Sequence, residues 1–446
     1  MHSNSEKMAE GQRRTGSPLG RRRVVAFNRL ETRNWELLAA LRHGHSRHVM
    51  EDLRAALREV TGARHVLFAP SCRSAIAQIL MMLPNEEVVM PAYTCSVLRP
   101  AAELAGKRIV YVDIPKNSLN ATSTEYARKL RPGHVLIPMH LFGIPTDIEN
   151  ICQIAKDNGC VTIEDVAAGF GATRNGRWLG TYADFGVFSF ERTKRLPAFR
   201  GAAIVINNER LVDPEKLASQ RVVSTTGDFP WRDLAFSFAH NVVTHPWLYG
   251  TLRSLHSLRK SVKTHLVVQS KTPEVPTRTP FYTRDFHSYQ AGLLLRMLRR
   301  MDRIRDHIER LVAVYRDIFR NTPIQTFLDC SELDEGGLLR FPIAFPGRDR
   351  SEILRLARER GIVLETNYTE PLPDGSEHAN FPNSVWASQN VVLLPLYGSL
   401  SLADAERVAR GLVEIERETS CRAVQISGLD SGNEQLAVTS LARQTL

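Results

Sequence analysis

The sequence predicts an α/β protein: a mainly parallel, twisted sheet sandwiched by helices, followed by a smaller α/β C-terminal region. Three observations carry this. From about residue 28 to residue 207, short apolar runs alternate with helix-length amphipathic stretches. From 286 to about 319 the apolar spacing is helical over many turns, which marks the opening of a second unit. Beyond it a strand, a helix, a second strand and a closing helix follow on a smaller scale. At 446 residues the chain is long enough for two domains and a large core. The expected partition is a basic, disordered arm at 1–27, a large domain at 28–282, a small domain at 283–424 and a loose tail at 425–446.

The strands of the first region are read in order as HVLFA, EEVVMP, RIVYVDI, HVLIPMH, CVTIED and FGVFSF. Helices fall between them at 71–82, 96–105 and 148–158, so consecutive strands are joined by crossovers and run parallel. Ligands on such sheets gather at the carboxyl ends of the strands, where the loops lie. In the second region LLRFPIAF and GIVLE read as strands, with SEILRLARERG and LADAERVARGLVEIERE as helices. The rhythm breaks at 229–268, an insertion in which Phe229, Trp231, Phe236, Phe238, Trp247 and Tyr249 precede Arg253, Arg259, Lys260 and Lys263. Rings beside cations fit either a helix lying in a membrane interface or a lid or dimer contact, the second being the simpler reading.

Composition narrows the class. With 43% hydrophobic and 24% charged residues the chain has the make-up of a soluble globular protein. Its net charge of +10 is concentrated in part in Arg13, Arg14, Arg21, Arg22 and Arg23, an arm without a recognisable nucleic-acid reading module. The first twenty residues hold no apolar signal core, and no apolar run reaches the roughly eighteen residues a membrane span needs. Cys72, Cys95, Cys152, Cys160, Cys330 and Cys421 are scattered without metal-ligand spacing, as expected for thiols in a reducing cytoplasm.

Three features carry chemistry. Asp165 closes the run IED, where a strand gives way to a loop; alone, such a carboxylate is commonly a turn former. Lys194 follows the strand FGVFSF between Arg192 and Arg195, cations that disfavour a further positive charge. A neutral amine there could attack a carbonyl, although RTKR is also an ordinary solvated cluster. In SCRSAIAQIL a strand runs into a helix at Ser71 and Ser74, which can cap the helix or seat a phosphate on its free amides. An amine, a carboxylate and an anion seat are together what pyridoxal phosphate requires.

From about residue 34 to 418 the chain resembles the DegT/DnrJ/StrS sugar aminotransferases. The resemblance lies in PAYTCSVLRPAAELAGKRIVYVDI, VLIPMHLFGIPTDIENICQIAKDNGCVTIEDVAAGFGA, LGTYADFGVFSFERTK and LPLYGSLSLADAERV, in family order. It implies the fold type I architecture of pyridoxal-phosphate-dependent transferases, with a seven-stranded-type sheet, and a homodimer whose cofactor sites lie between subunits. It implies that Lys194 is the lysine bonded to the cofactor aldehyde, that Asp165 faces the pyridine nitrogen, and that Ser189 and Ser74 bind the phosphate. It further implies amino transfer, commonly from glutamate, to a nucleotide-linked keto sugar. Lys194 itself separates the chain from relatives that carry histidine there and dehydrate.

The chain departs from the family pattern at several cofactor positions. Arg73 stands where the phosphate turn has glycine, Cys95 where an aromatic stacks on the ring, and Ala168 where a glutamine is usual. Gly201-Ala202 replaces a glycine pair. Thr283-Arg284-Asp285 replaces Asn-Tyr-Arg, whose asparagine reaches the neighbouring subunit's phosphate, and leaves Arg284 as the candidate for that contact. These changes keep open a rival reading, a catalytically impaired cofactor-binding regulator or scaffold.

Overall fold

The computed structural model describes residues 24–44, 46, 48–245, 278–328 and 334–441. Most of the N-terminal arm, the insertion beyond residue 245 with Trp247 and Tyr249, and Cys330 lie outside the described residues.

Seven strands form the main sheet: β1 (His65–Ala69), β2 (Glu87–Pro91), β3 (Arg108–Val112), β4 (Val135–Leu136), β5 (Val161–Asp165), β8 (Phe185–Ser189) and β9 (Ala202–Ile206). A small hairpin, β6 (Thr173–Arg174) and β7 (Arg177–Trp178), projects between β5 and β8. The spatial order is β1-β9-β8-β5-β4-β2-β3, parallel throughout except at β9. The strand β9, in GAAIVI, was not anticipated; it returns antiparallel from the lysine loop and is fully buried. β5, β8 and β9 are buried at every residue, as central strands covered on both faces must be.

The helices α1 (Asn34–Ala39), α2 (His48–Thr61), α3 (Cys72–Met82), α4 (Leu98–Leu104), α5 (Ser123–Ala127), α6 (Ile148–Asp157), α7 (Pro214–Ser219) and α8 (Trp231–Val243) surround this sheet. The register places the site. Ala69 of β1 and Ser189 of β8 both pair with Ala202, so the carboxyl ends of β1 and β8 lie level, and Ser71 bridges to Gly201 just beyond.

The single helix expected over 286–319 is two, Ser288–Leu298 and Met301–Phe319. Arg300 leaves helical geometry at φ −119° and ψ 9°, and its guanidinium meets Glu36 at 2.8 Å. The first helix packs Tyr289, Leu293 and Leu294 with Leu37 and Leu53. The second packs Ile304, Ile308 and Tyr315 with a three-stranded antiparallel sheet of β10 (Gln325–Thr326), β11 (Phe341–Ala344) and β12 (Val392–Leu394). GIVLE is not a strand: it makes only isolated bridges, Ile362 with Val25 and Glu365 with Leu393. The last helix runs Leu402–Leu441, through most of the stretch expected as a loose tail.

Candidate active site

Asp165 ends β5 at the carboxyl edge of the sheet and is 4% exposed. The alternation of a strand sends its neighbour Glu164 to the other face, where that carboxylate is fully buried. Glu164 accepts from the amides of Gly180 at 2.6 Å, Tyr182 at 3.1 Å and Ala183 at 3.3 Å, and meets His140 Nε2 at 3.0 Å. His140 Nδ1 accepts from the Thr146 amide at 3.1 Å, so its proton lies on Nε2, toward Glu164. His140 also donates its own amide to the Asp165 carbonyl. The Glu164–His140 pair therefore fixes the strand end that presents Asp165. Motif reading passed over both residues.

At Asp165 the hydrogen bonds among the described residues fall on Oδ1: from the Ala167 amide at 2.9 Å and from Cys72 Sγ at 3.9 Å. Burial pushes the carboxyl up from its ordinary value, while the Ala167 amide, Lys194 and His140 pull it down. Such a carboxylate calls for a cationic N–H partner.

Lys194 lies in the loop between β8 and β9. Its amide donates to the Glu191 carbonyl at 2.9 Å, and the loop is closed by Phe190 on Gly201 and Ala198 on Phe190. The two flanking arginines do not crowd it as the sequence led one to expect. Arg195 is buried and turns to Glu31 at 2.7 Å and to the Leu338 carbonyl; Arg192 turns to Glu191 at 3.3 Å and lies over the Phe236 ring. Carboxylates thus pair with both guanidinium groups, Arg195 with Glu31 and Arg192 with Glu191. At the start of α3, the Cys72 thiol meets Asp165 Oδ1 at 3.9 Å and feels the charges of Lys194 and Arg73 as well as the Cys95 thiol.

At the third element the serines divide. Ser71 is an N-cap: its hydroxyl accepts from the Ser74 amide at 3.2 Å and donates to the Phe281 carbonyl at 2.6 Å. Ser74 is fully buried, with its hydroxyl against Gln78 at 3.4 Å. Arg73 extends from the first turn of α3 over the Phe281 ring, 4.2 Å from its centroid. Ser189, buried at the end of β8, accepts from the Glu191 amide at 3.3 Å. Ala168 lies in the turn after Asp165, its carbonyl close to Gly143. Arg284 is set apart: its backbone bridges to Thr226 and its charge opposes that of Arg200, with no ion pair among the described residues.

The side facing the small sheet is aromatic. Tyr368 packs edge-on to Tyr93 at 5.8 Å and tilted against Phe142 at 5.6 Å, and its hydroxyl feels both Cys95 and Asp165. Tyr368 thus brings an aromatic side chain to this side of the site from a distant part of the chain. Tyr93 carries a buried hydroxyl without a hydrogen-bond partner. Arg340, also buried, reaches the Thr193 carbonyl at 3.5 Å, and burial pushes its pKa down to about 10.

The profile of the DegT/DnrJ/EryC1/StrS aminotransferase family matches residues 32–240 and 257–413. The chain belongs to this family. It is accordingly a pyridoxal-phosphate-dependent aminotransferase. Solved structures agree on the fold. A protein of Streptococcus pneumoniae, named as a sugar aminotransferase and solved in its PMP form, is 19% identical with a TM-score of 0.69 over 90% of this chain and 99% of its own. The aminotransferase TlmJ of Streptoalloteichus hindustanus is 20% identical with a TM-score of 0.67, covering 89% and 100%. PseC of Helicobacter pylori, an aminotransferase involved in the biosynthesis of pseudoaminic acid, is 16% identical with a TM-score of 0.65, covering 89% and 100%. At such identities the likeness carries the fold, which is type I.

The donor set fits the cofactor of this family. Asp165 has an oxygen left for a ring N–H, Lys194 is the amine beside it, and the start of α3 lies level with Ser189 as an anion seat. No helix of the described residues is long and apolar enough to cross a membrane.

Proposed function

We propose that the protein moves an amino group from glutamate to a keto sugar carried on a nucleotide, with Lys194 and Asp165 at the centre of the reaction. The observation that carries this reading is a buried Asp165 at the carboxyl edge of the sheet whose carboxylate is favoured by the charge of Lys194. Support for a sugar acceptor comes from relatives. DesI was solved in the presence of its TDP-sugar product, and PseC serves pseudoaminic acid biosynthesis. A nucleotide diphosphate also suits a chain of charge +10.

Pyridoxal phosphate, when bound, supplies a sink for the electrons released as the donor α-carbon loses its proton. The residues of the chain do the rest. Lys194 Nζ would hold the group through its aldehyde and, once free, would take the donor α-proton as general base. In the second half it returns a proton to the carbon that receives nitrogen. Asp165, whose hydrogen bonds among the described residues fall on Oδ1, would hold the ring nitrogen of the group through Oδ2 and keep its proton there. The α3 amides, Ser74 and Ser189 hold the phosphate, with Arg73 adding charge. Tyr368, whose hydroxyl feels Cys95 and Asp165, would offer the group an aromatic side chain that Cys95 does not. In a homodimer, Arg284 extends to the partner's phosphate, and the enzyme works in the cytoplasm.

The test is a pair of half-reactions. Glutamate should convert the holoenzyme to its pyridoxamine form, and a screen of nucleotide keto sugars against simple keto acids should return it fastest with a keto sugar. A cofactor that stays bound but inert to glutamate would instead identify a regulator. Preference for simple keto acids would overturn the sugar assignment.

A further inference from the structure

We propose that Tyr368 sets specificity for the acceptor, its hydroxyl forming a hydrogen bond with an oxygen of the sugar ring. The inference rests on the reading that the acceptor is a keto sugar. Among the described residues four that are not glycine take a left-handed backbone, and two of them, Phe142 at φ 61° and Tyr368 at φ 54°, meet ring to ring at 5.6 Å. A bulky side chain in that conformation is strained, and it persists only where surrounding contacts over-determine it, as they do at ligand clamps. Those contacts are present. The Phe142 carbonyl accepts from the amides of Leu339 at 2.8 Å and Arg340 at 3.2 Å. The segment carrying Tyr368 is pinned at both ends: Glu365 and Leu393 exchange main-chain hydrogen bonds at 3.3 and 2.8 Å, and the Leu372 amide donates to the Ala92 carbonyl at 2.9 Å.

What this strain secures is a phenol with nothing to hold. Tyr368 is half-buried, its ring rests edge-on against Tyr93 at 5.8 Å, and its hydroxyl has no hydrogen-bond partner among the described residues. Burial pushes the hydroxyl pKa well above the usual phenol value, with Cys95, Tyr93 and Asp165 acting the same way and Arg340 opposing them, so the proton stays on. Such a group both donates and accepts, which matches a sugar hydroxyl. Both substrates of a ping-pong reaction use one site in turn, and glutamate, which brings two carboxylates, gains more from a cation than from a neutral phenol. A site that bonds a substrate hydroxyl discriminates against a substrate without one.

The experiment compares the parent with Tyr368→Phe, which keeps the ring and removes the hydroxyl. Each is converted to its pyridoxamine form with glutamate and returned by TDP-, UDP- and GDP-linked ketodeoxyhexoses or by 2-oxoglutarate. The ratio of kcat/KM for the best keto sugar to that for 2-oxoglutarate should fall at least about tenfold in the variant, whereas a merely structural role would lower both together. Calorimetry reads the same contact without turnover. The matching nucleotide hexoses, which have no ketone, should bind the variant holoenzyme about tenfold more weakly, relative to the free nucleoside diphosphate, than they bind the parent. A parent that no keto sugar returns would remove the acceptor reading and this inference with it. A parent that a keto sugar does return, with either ratio unchanged in the variant, overturns the inference alone.

Discussion

Replacing Glu31 with glutamine tests how the lysine loop is held. Arg195, next to Lys194, is 2% exposed, and its guanidinium has two acceptors: Glu31 Oε1 at 2.7 Å and the Leu338 carbonyl, while its Nε has none. Burial depresses the Arg195 pKa and the Glu31 charge opposes that shift. A solvent-exposed pair would be worth at most about 1 kcal/mol. Here the loss of one partner leaves a buried charge uncompensated, which costs about 3–5 kcal/mol. Glutamine retains an oxygen for the Gly398 amide, now 2.9 Å from Glu31 Oε1, so that contact contributes little to the loss. A second change, Arg195→Met, removes the stranded charge and should restore all but about 1–2 kcal/mol. Urea unfolding of the cofactor-free proteins measures both steps, and the rate of cofactor loss reports the loop. A Glu31→Gln protein within about 1 kcal/mol of the parent, or a double variant less stable than the single, would refute the reasoning.

Other outcomes follow from the same geometry. Glu164→Gln puts an NH2 among four donors and should cost at least about 2 kcal/mol while lowering cofactor affinity, read by denaturation and by titration. Gly186→Ala would drive a Cβ into the Gly180 carbonyl oxygen against β8 and should cost more than about 3 kcal/mol, seen as loss of soluble protein. For Asp165 the folded-state pKa lies above the unfolded one, so the native chain binds this proton more tightly. Its burial penalty is present above the folded pKa and is relieved as pH falls toward the unfolded value. Cofactor-free protein should therefore gain stability relative to Asp165→Asn as pH falls through the weakly acidic range, and bound cofactor should flatten the difference.

Strand runs and the lysine–aspartate pair were legible because each depends on local pattern: an apolar run ending in Asp165, and a loop after FGVFSF carrying Lys194. Long-range contacts were not. Cys72 meets Asp165 across 93 positions of sequence, and the Tyr368 hydroxyl feels the Cys95 thiol from a distant segment. GAAIVI was overlooked as a strand because nothing helical separates it from β8. The helical period of residues 286–319 runs through the break at Arg300, whose cause is a side-chain partner in α1.

The central claim concerns which nitrogen the cofactor joins. Holoenzyme reduced with borohydride, digested and mapped by mass spectrometry should carry the pyridoxyl group on the peptide containing Lys194, and Lys194→Ala should lose both the adduct and the absorbance near the visible edge. An adduct on another lysine, or none in protein that has taken up the cofactor, would contradict the account.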